Sequence, residues 1–373
     1  MRDTKILRFI LIAVVLFLGV VWSLASAEPP TTQGHEGYPN GQFLCTGQWL
    51  KANNDDEGLV VIDVRTDEHF DNTLIPGAIR IPYTLFRTNN RAENVADDFV
   101  GLDKAQEILG EHGVARGATV VLYDSVERDG GATASYVFWV LDMLGHENKM
   151  ILERGIDGWK DAGGEVSQQP AELSPVLYQA STQEMVPSRR VNGEFIQNRL
   201  GDPYYQIVDV RSQGEYTGEL ANKALDGSVL KRGHVPGAVN VPDASNWVDE
   251  KDKEIRPYAQ LQDLYRGLDT NRAIIPYCHS GRRASFGYFI LRLMGFTDVR
   301  LYERSWNEWG QHDLYFPVQQ TTVQRPGDSA VPQGQGGSAQ APSGPNDSSG
   351  ASSTSTDSPQ QDSSSGGYVS CGG

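Results

Sequence analysis

The chain has 373 residues, 39% of them hydrophobic and 21% charged, which is enough for two domains with buried cores. Its 32 basic and 48 acidic side chains leave a formal charge of −16. That excess excludes a nucleic-acid partner, which is bound by clustered Lys and Arg, and leaves an anionic substrate dependent on a local positive site.

Residues 1–27 read as an export signal outside the fold. Arg2, Lys5 and Arg8 precede an apolar run over 9–22, broken only by Gly19, and Ala25-Ser26-Ala27 supplies the small residues of a cleavage site. The run is short for a membrane span of about 20 residues. Export to a periplasmic or extracellular location is therefore expected, with an uncleaved N-terminal membrane anchor as the alternative.

Two copies of one pattern follow. In the first, placed at 28–172, a β-branched strand over 59–64 carries Asp63-Val64-Arg65, and Ile75-Pro76-Gly77-Ala78 comes next. A second strand over 119–123 runs into Asp124, and a helix over 132–144 closes at Gly145. Residues 173–188 lack a period and contain Pro175 and Pro187, so they read as a linker.

The second copy, at 189–318, repeats the series. A strand over 206–210 carries Asp209-Val210-Arg211, Val235-Pro236-Gly237-Ala238 follows, and a strand over 273–277 runs into Cys278. A helix over 283–294 then closes at Gly295, and a last strand covers 299–302. The spacing between the matched motifs requires a 14-residue insertion around 218–231. Uniformly apolar short strands alternating with helices predict an α/β fold of two tandem units, each a parallel sheet with helices on both faces. Residues 319–373 are Ser, Gly, Pro and Gln with almost nothing apolar, and are expected to form a disordered tail.

Three cysteines, Cys45, Cys278 and Cys371, make no disulfide framework, and their spacing suits no metal. No metal or other cofactor is expected. Cys45 sits in an apolar patch and reads as packing. Cys278 instead opens Cys278-His279-Ser280-Gly281-Arg282-Arg283, between a strand and a helix. Unpaired N–H groups at a helix start, the helix dipole and two Arg would all stabilise a thiolate, so its pKa is expected below the ~8.5 of a free thiol. Gly281 lets the loop curl, and the same cradle could hold an anionic substrate beside the sulfur.

The Asp-Val-Arg elements, Gly233-His234-Val235-Pro236-Gly237-Ala238, the cysteine loop and Ser305-Trp306-Asn307-Glu308-Trp309 together resemble the tandem-domain rhodanese family of thiosulfate and 3-mercaptopyruvate sulfurtransferases. The resemblance covers about residues 40–318. It implies that Cys278 attacks the outer sulfur of a small anionic donor and carries it as a persulfide. A thiophilic acceptor, such as cyanide, a thiol or a protein thiol, then takes that sulfur in a ping-pong cycle. It also implies that Arg211 lies near the site, where it would hold the donor's anionic end; an ion pair with Asp209 or Glu215 is the alternative. His279 is read either as a solvated loop histidine or as a proton donor. Asp124 stands where the second copy has Cys278, so the first copy is expected to be catalytically silent and to wall the cleft. Ser280 replaces the basic residue of thiosulfate-using loops, and His279 the small residue of mercaptopyruvate-using ones. The donor stays open between the two, with thiosulfate favoured because two guanidinium groups suit a compact dianion. A non-turnover sulfur-relay or redox-sensing protein is the first rival reading. A rhodanese-related phosphatase is the second, weakened because Arg283 falls one residue short of the position that clamps phosphate.

Overall fold

A computed structural model describes residues 37–128 and 130–321. The signal, Cys371 and all but the first residues of the expected tail lie outside the described residues. Among those described, no helix is long and apolar enough to cross a membrane.

In the first copy β1 (Leu44–Cys45), β2 (Leu59–Asp63) and β3 (Ile79–Arg80) join β6 (Thr119–Tyr123) and β7 (Lys149–Leu152) in one parallel sheet, in the order β1-β7-β6-β2-β3. A small antiparallel hairpin, β4 (Arg87–Asn90) and β5 (Val95–Phe99), stands apart from it. In the second copy β8 (Arg190–Val191), β9 (Tyr205–Asp209), β10 (Val239–Asn240), β11 (Ala273–Tyr277) and β12 (Leu301–Tyr302) pair as β10-β9-β11 and β12-β8. A parallel bridge between Ile274 and Val299 joins the two pieces, so the strand order of the first copy recurs. Val120 to Tyr123 and all of β11 are buried, as expected of central parallel strands covered on both faces.

The connections are α1 (Gly47–Asn53), α2 (Leu102–Glu111), α3 (Ala132–Met143) and α4 (Gly155–Asp161) in the first copy. The second has α5 (Gly193–Gln197), α6 (Gln213–Thr217), α7 (Tyr258–Leu264), α8 (Arg282–Leu293) and α9 (Ser305–Trp309). Local chemistry starts several of them. The Thr46 hydroxyl accepts from Trp49 N–H at 3.1 Å, and Ser212 and Glu215 form a reciprocal capping box on α6.

Helices α3 and α8 each follow the strand that leads to a candidate site. Every residue of α3 is buried, as are all but two of α8, because the two helices pack on each other as well as on their own sheets. Phe138 meets Phe289 edge-on at 5.1 Å, and a single hydrophobic cluster takes in Val137, Phe138 and Leu141 with Phe286, Phe289 and Ile290.

Both connecting segments are tied down by main-chain bonds. The linker is laid along the first copy: Val176 N–H donates to the Gly110 carbonyl at 2.9 Å and Val186 N–H to the Met143 carbonyl at 2.7 Å. Gln319, where the tail was expected to begin, exchanges both backbone hydrogen bonds with His234 at 2.9 Å. Pairing through the main chain needs no apolar side chain, so composition gave no sign of it.

Candidate active site

Cys278 is the first residue after β11, and the loop 278–281 leads directly into α8. The Cys278 N–H donates to Ser305 Oγ at 2.9 Å, and its carbonyl accepts from Trp306 N–H at 3.0 Å. The His279 carbonyl accepts from Asn307 N–H at 2.9 Å. The start of α9 therefore braces the loop from one side. On the other, Gly281 N–H donates to Cys278 Sγ at 3.2 Å. Gly281 has φ +87°, and a Cβ there would lie 2.6 Å from the Glu303 carbonyl oxygen, so only glycine fits.

The residues around the sulfur have distinct partners. Arg283 binds both carboxylate oxygens of Glu215, at 2.8 and 2.9 Å. Arg282 is buried at the first turn of α8. Its charge reaches His69 of the first copy, whose pKa is lowered by burial and Arg128, with Glu68 and Glu127 opposing and Arg282 adding a smaller push. His279 is also buried, and its Nε2 donates to the Lys223 carbonyl at 3.0 Å. The solvated-histidine expectation is thus corrected, because the 218–231 insertion folds over the loop and covers the ring. Ser280 is buried, and its carbonyl accepts from Arg87 of the first copy.

Arg211 takes the ion-pair alternative. Its guanidinium binds Asp209 at 2.6 and 3.0 Å, the Gly233 carbonyl at 2.7 Å and Asn222 Oδ1 at 3.3 Å, and lies 4.1 Å from the Trp306 ring. The first copy supplies an internal control. Arg65 makes the same pair with Asp63, at 2.6 and 3.0 Å, in a copy that has Asp124 at the place of Cys278. The repeated geometry ties the motif to the turn after the strand and not to sulfur chemistry. Tyr277 completes this strut, donating to Asp209 Oδ2 at 2.6 Å and accepting from Val235 N–H at 3.1 Å.

At the matching place in the first copy, the Asp124 carboxylate accepts from Gly131, Thr133 and Ala134 N–H at 2.8, 3.1 and 3.1 Å. Burial pushes its pKa up to about 6 against the pull of those bonds. The first copy thus fills its own anion cradle with a carboxylate. Among the described residues no group of His, Cys, Asp and Glu is placed to hold a metal.

Sequence reasoning missed Arg87 and Lys223 and gave Ser305 no role. Ser305 stood in a quoted motif, whereas Arg87 and Lys223 carried no local signal.

A family model described as "Rhodanese-like domain" matches residues 46–162 and 193–312. A relative from Saccharopolyspora erythraea is 31% identical over 277 residues, covering 72% of this chain and 93% of its own, and is named provisionally as a thiosulfate sulfurtransferase. A protein of Corynebacterium glutamicum named "Thiosulfate sulfurtransferase" is 30% identical over 285 residues, covering 74% of this chain and 90% of its own. Among solved structures, a persulfide form of EanB with ergothioneine aligns with a TM-score of 0.65 at 21% identity, over 77% of this chain and 72% of that one. At that identity the likeness is one of fold.

Proposed function

Because this chain belongs to the rhodanese-like domain family, we propose that it is a thiosulfate sulfurtransferase that carries sulfur as a persulfide on Cys278. The observation that carries this reading is the Gly281 N–H held 3.2 Å from Cys278 Sγ, at a strand-to-helix turn where charge on sulfur is stabilised. In the first half-reaction the Cys278 thiolate attacks the outer sulfur of thiosulfate. The S–S bond of the donor breaks and sulfite leaves with the bonding pair. In the second, the carbon of cyanide attacks the terminal sulfur of the persulfide, thiocyanate leaves, and the thiolate returns. No external oxidant or reductant is consumed.

Cys278 is 1% exposed, which favours compact donors and acceptors over a protein thiol, and hence turnover over relay. A phosphatase reading loses support because Arg283, its phosphate-clamp candidate, is engaged by Glu215. We further propose that residues 1–27 direct this chemistry outside the cytoplasm, to the periplasm or beyond.

The test is thiosulfate:cyanide sulfurtransferase activity of the full chain beside Cys278→Ser, with intact mass after thiosulfate treatment. Thiocyanate release and a gain of one sulfur, both absent in Cys278→Ser, are expected. Equal sulfur uptake by Cys278→Ser would end the assignment of the carrier.

A further inference from the structure

The peptide group joining Ser280 to Gly281 is held at both ends. Its N–H donates to Cys278 Sγ at 3.2 Å, and its carbonyl accepts from Nη2 of Arg87. The two ends of a planar trans peptide point in opposite directions and cannot turn independently. Whatever holds the oxygen therefore also aims the N–H. Arg87 opens β4 of the first copy, 193 positions from Ser280, in the copy that lacks the cysteine.

Its guanidinium is built in for this contact. Arg87 is buried, with Asp97 at 3.3 Å, the Tyr83 hydroxyl at 3.1 Å, and the Tyr83 and Tyr136 rings 5.3 and 5.1 Å away. A cation on a peptide oxygen makes a charge-assisted bond and polarises the group, so the N–H at the far end becomes a stronger donor. The peptide dipole then runs from the arginine to the sulfur with its positive end at Sγ.

We propose that Arg87 is a positioning residue for Cys278: it fixes and polarises the Ser280–Gly281 peptide, so that the first copy stabilises negative charge on the sulfur of the second. The inference rests on the reading of Cys278 as the sulfur-carrying nucleophile, but its test reads the thiol directly.

The measurement is the pH dependence of iodoacetamide alkylation at Cys278 in the full chain, followed on the Cys278 peptide by mass spectrometry. Arg87→Met should raise the midpoint by about one pH unit, and Arg87→Lys, which keeps the charge, should fall nearer the native value. Asp97→Asn removes the anion that offsets Arg87 and should lower the midpoint. Asp97 has φ +61°, a conformation Asn adopts readily, so that variant keeps its backbone. Arg282, His279, the Arg283–Glu215 pair and the Glu303–Arg190 pair surround the loop in every variant, so differences report on Arg87. An unchanged midpoint in folded Arg87→Met overturns the inference, as does an Arg87→Lys midpoint equal to that of Arg87→Met. If Arg87→Met does not fold, Asp97→Asn decides: a lower midpoint supports the inference, and an unchanged or higher one overturns it. Failure of native protein to gain sulfur from thiosulfate would count against the underlying reading alone.

Discussion

Arg283 grips Glu215 with two parallel bonds, Nη1 to Oε2 at 2.8 Å and Nη2 to Oε1 at 2.9 Å, so one of the two cations after the cysteine is neutralised within the protein. Burial would raise the Glu215 pKa, but Arg283, with Arg211 and Asn222, holds it well below the usual carboxylate range. A depressed carboxyl pKa adds stability above the unfolded-state value of about 4.3, and that stability is lost as pH falls through the folded value. Glu215→Gln is expected to cost about 2 kcal/mol at pH 7 by urea unfolding, since it leaves the partly covered Arg283 guanidinium without its anion. The deficit should shrink below about pH 4, and a deficit of the same size at pH 3 would show that charge pairing is not its origin.

Gly281→Ala should be far more damaging than its one methyl suggests. The residue has φ +87°, and the added carbon would lie 2.6 Å from the backbone oxygen of Glu303, which cannot swing away as a side chain could. The loop would have to shift, carrying with it the N–H that faces Cys278. We expect a loss of at least about 2 kcal/mol in stability and at least about tenfold in the rate of persulfide formation, measured by stopped-flow sulfite release. Wild-type rates in the folded variant would contradict this account of the loop.

Glu153 should make the join between the copies sensitive to pH. Burial pushes its pKa up to about 7, with Glu254 adding to the rise and Ile255 N–H and Arg154 opposing it. The Ile255 N–H that binds its Oε1, at 3.2 Å, belongs to the second copy. A carboxyl whose folded pKa is raised favours the protonated folded state, so its contribution declines as pH climbs from about 4.3 through 7. The thermal midpoint should therefore be lower at pH 8.5 than at pH 5.5, and Glu153→Gln should flatten that difference. A Gln variant with the native pH slope would assign the slope to other groups.

The described thiols should differ sharply in reactivity. Burial, and then the charge of Glu153, push the Cys45 thiol far above its usual range, and its side chain is fully enclosed. Native protein treated with iodoacetamide at pH 7.5 should be modified at Cys278 and spared at Cys45, as read by peptide mapping. Comparable labelling of both would mean that the first copy opens readily.

The repeat, the parallel strand–helix alternation and the place of Cys278 were legible because each rests on local patterning. An apolar strand, a polar Gly-containing turn and a helix declare themselves within about 20 residues. The Asp209–Arg211 pair was half legible. An Asp at a strand end readily binds the residue two further on, as Asp209 does with Arg211, and the resemblance that placed Arg211 near the donor competed with that simpler geometry. Arg87 was not legible at all, since its contact with Ser280 depends on how two helices from different copies dock. Lys223 was hidden for a related reason: an insertion of polar residues gives no sign of which carbonyl it will present to His279.

The packing of α3 on α8 puts side chains of both copies into one hydrophobic cluster. Neither copy closes its interior alone, so separating them would expose Phe138 and Phe289 together. Such a chain should melt in a single transition, and an excised second copy would face water with a surface that evolved as interior. The two halves are therefore not modular: although the first copy has Asp124 where the second has Cys278, it cannot be discarded, because its helix is part of the core behind the Cys278 loop.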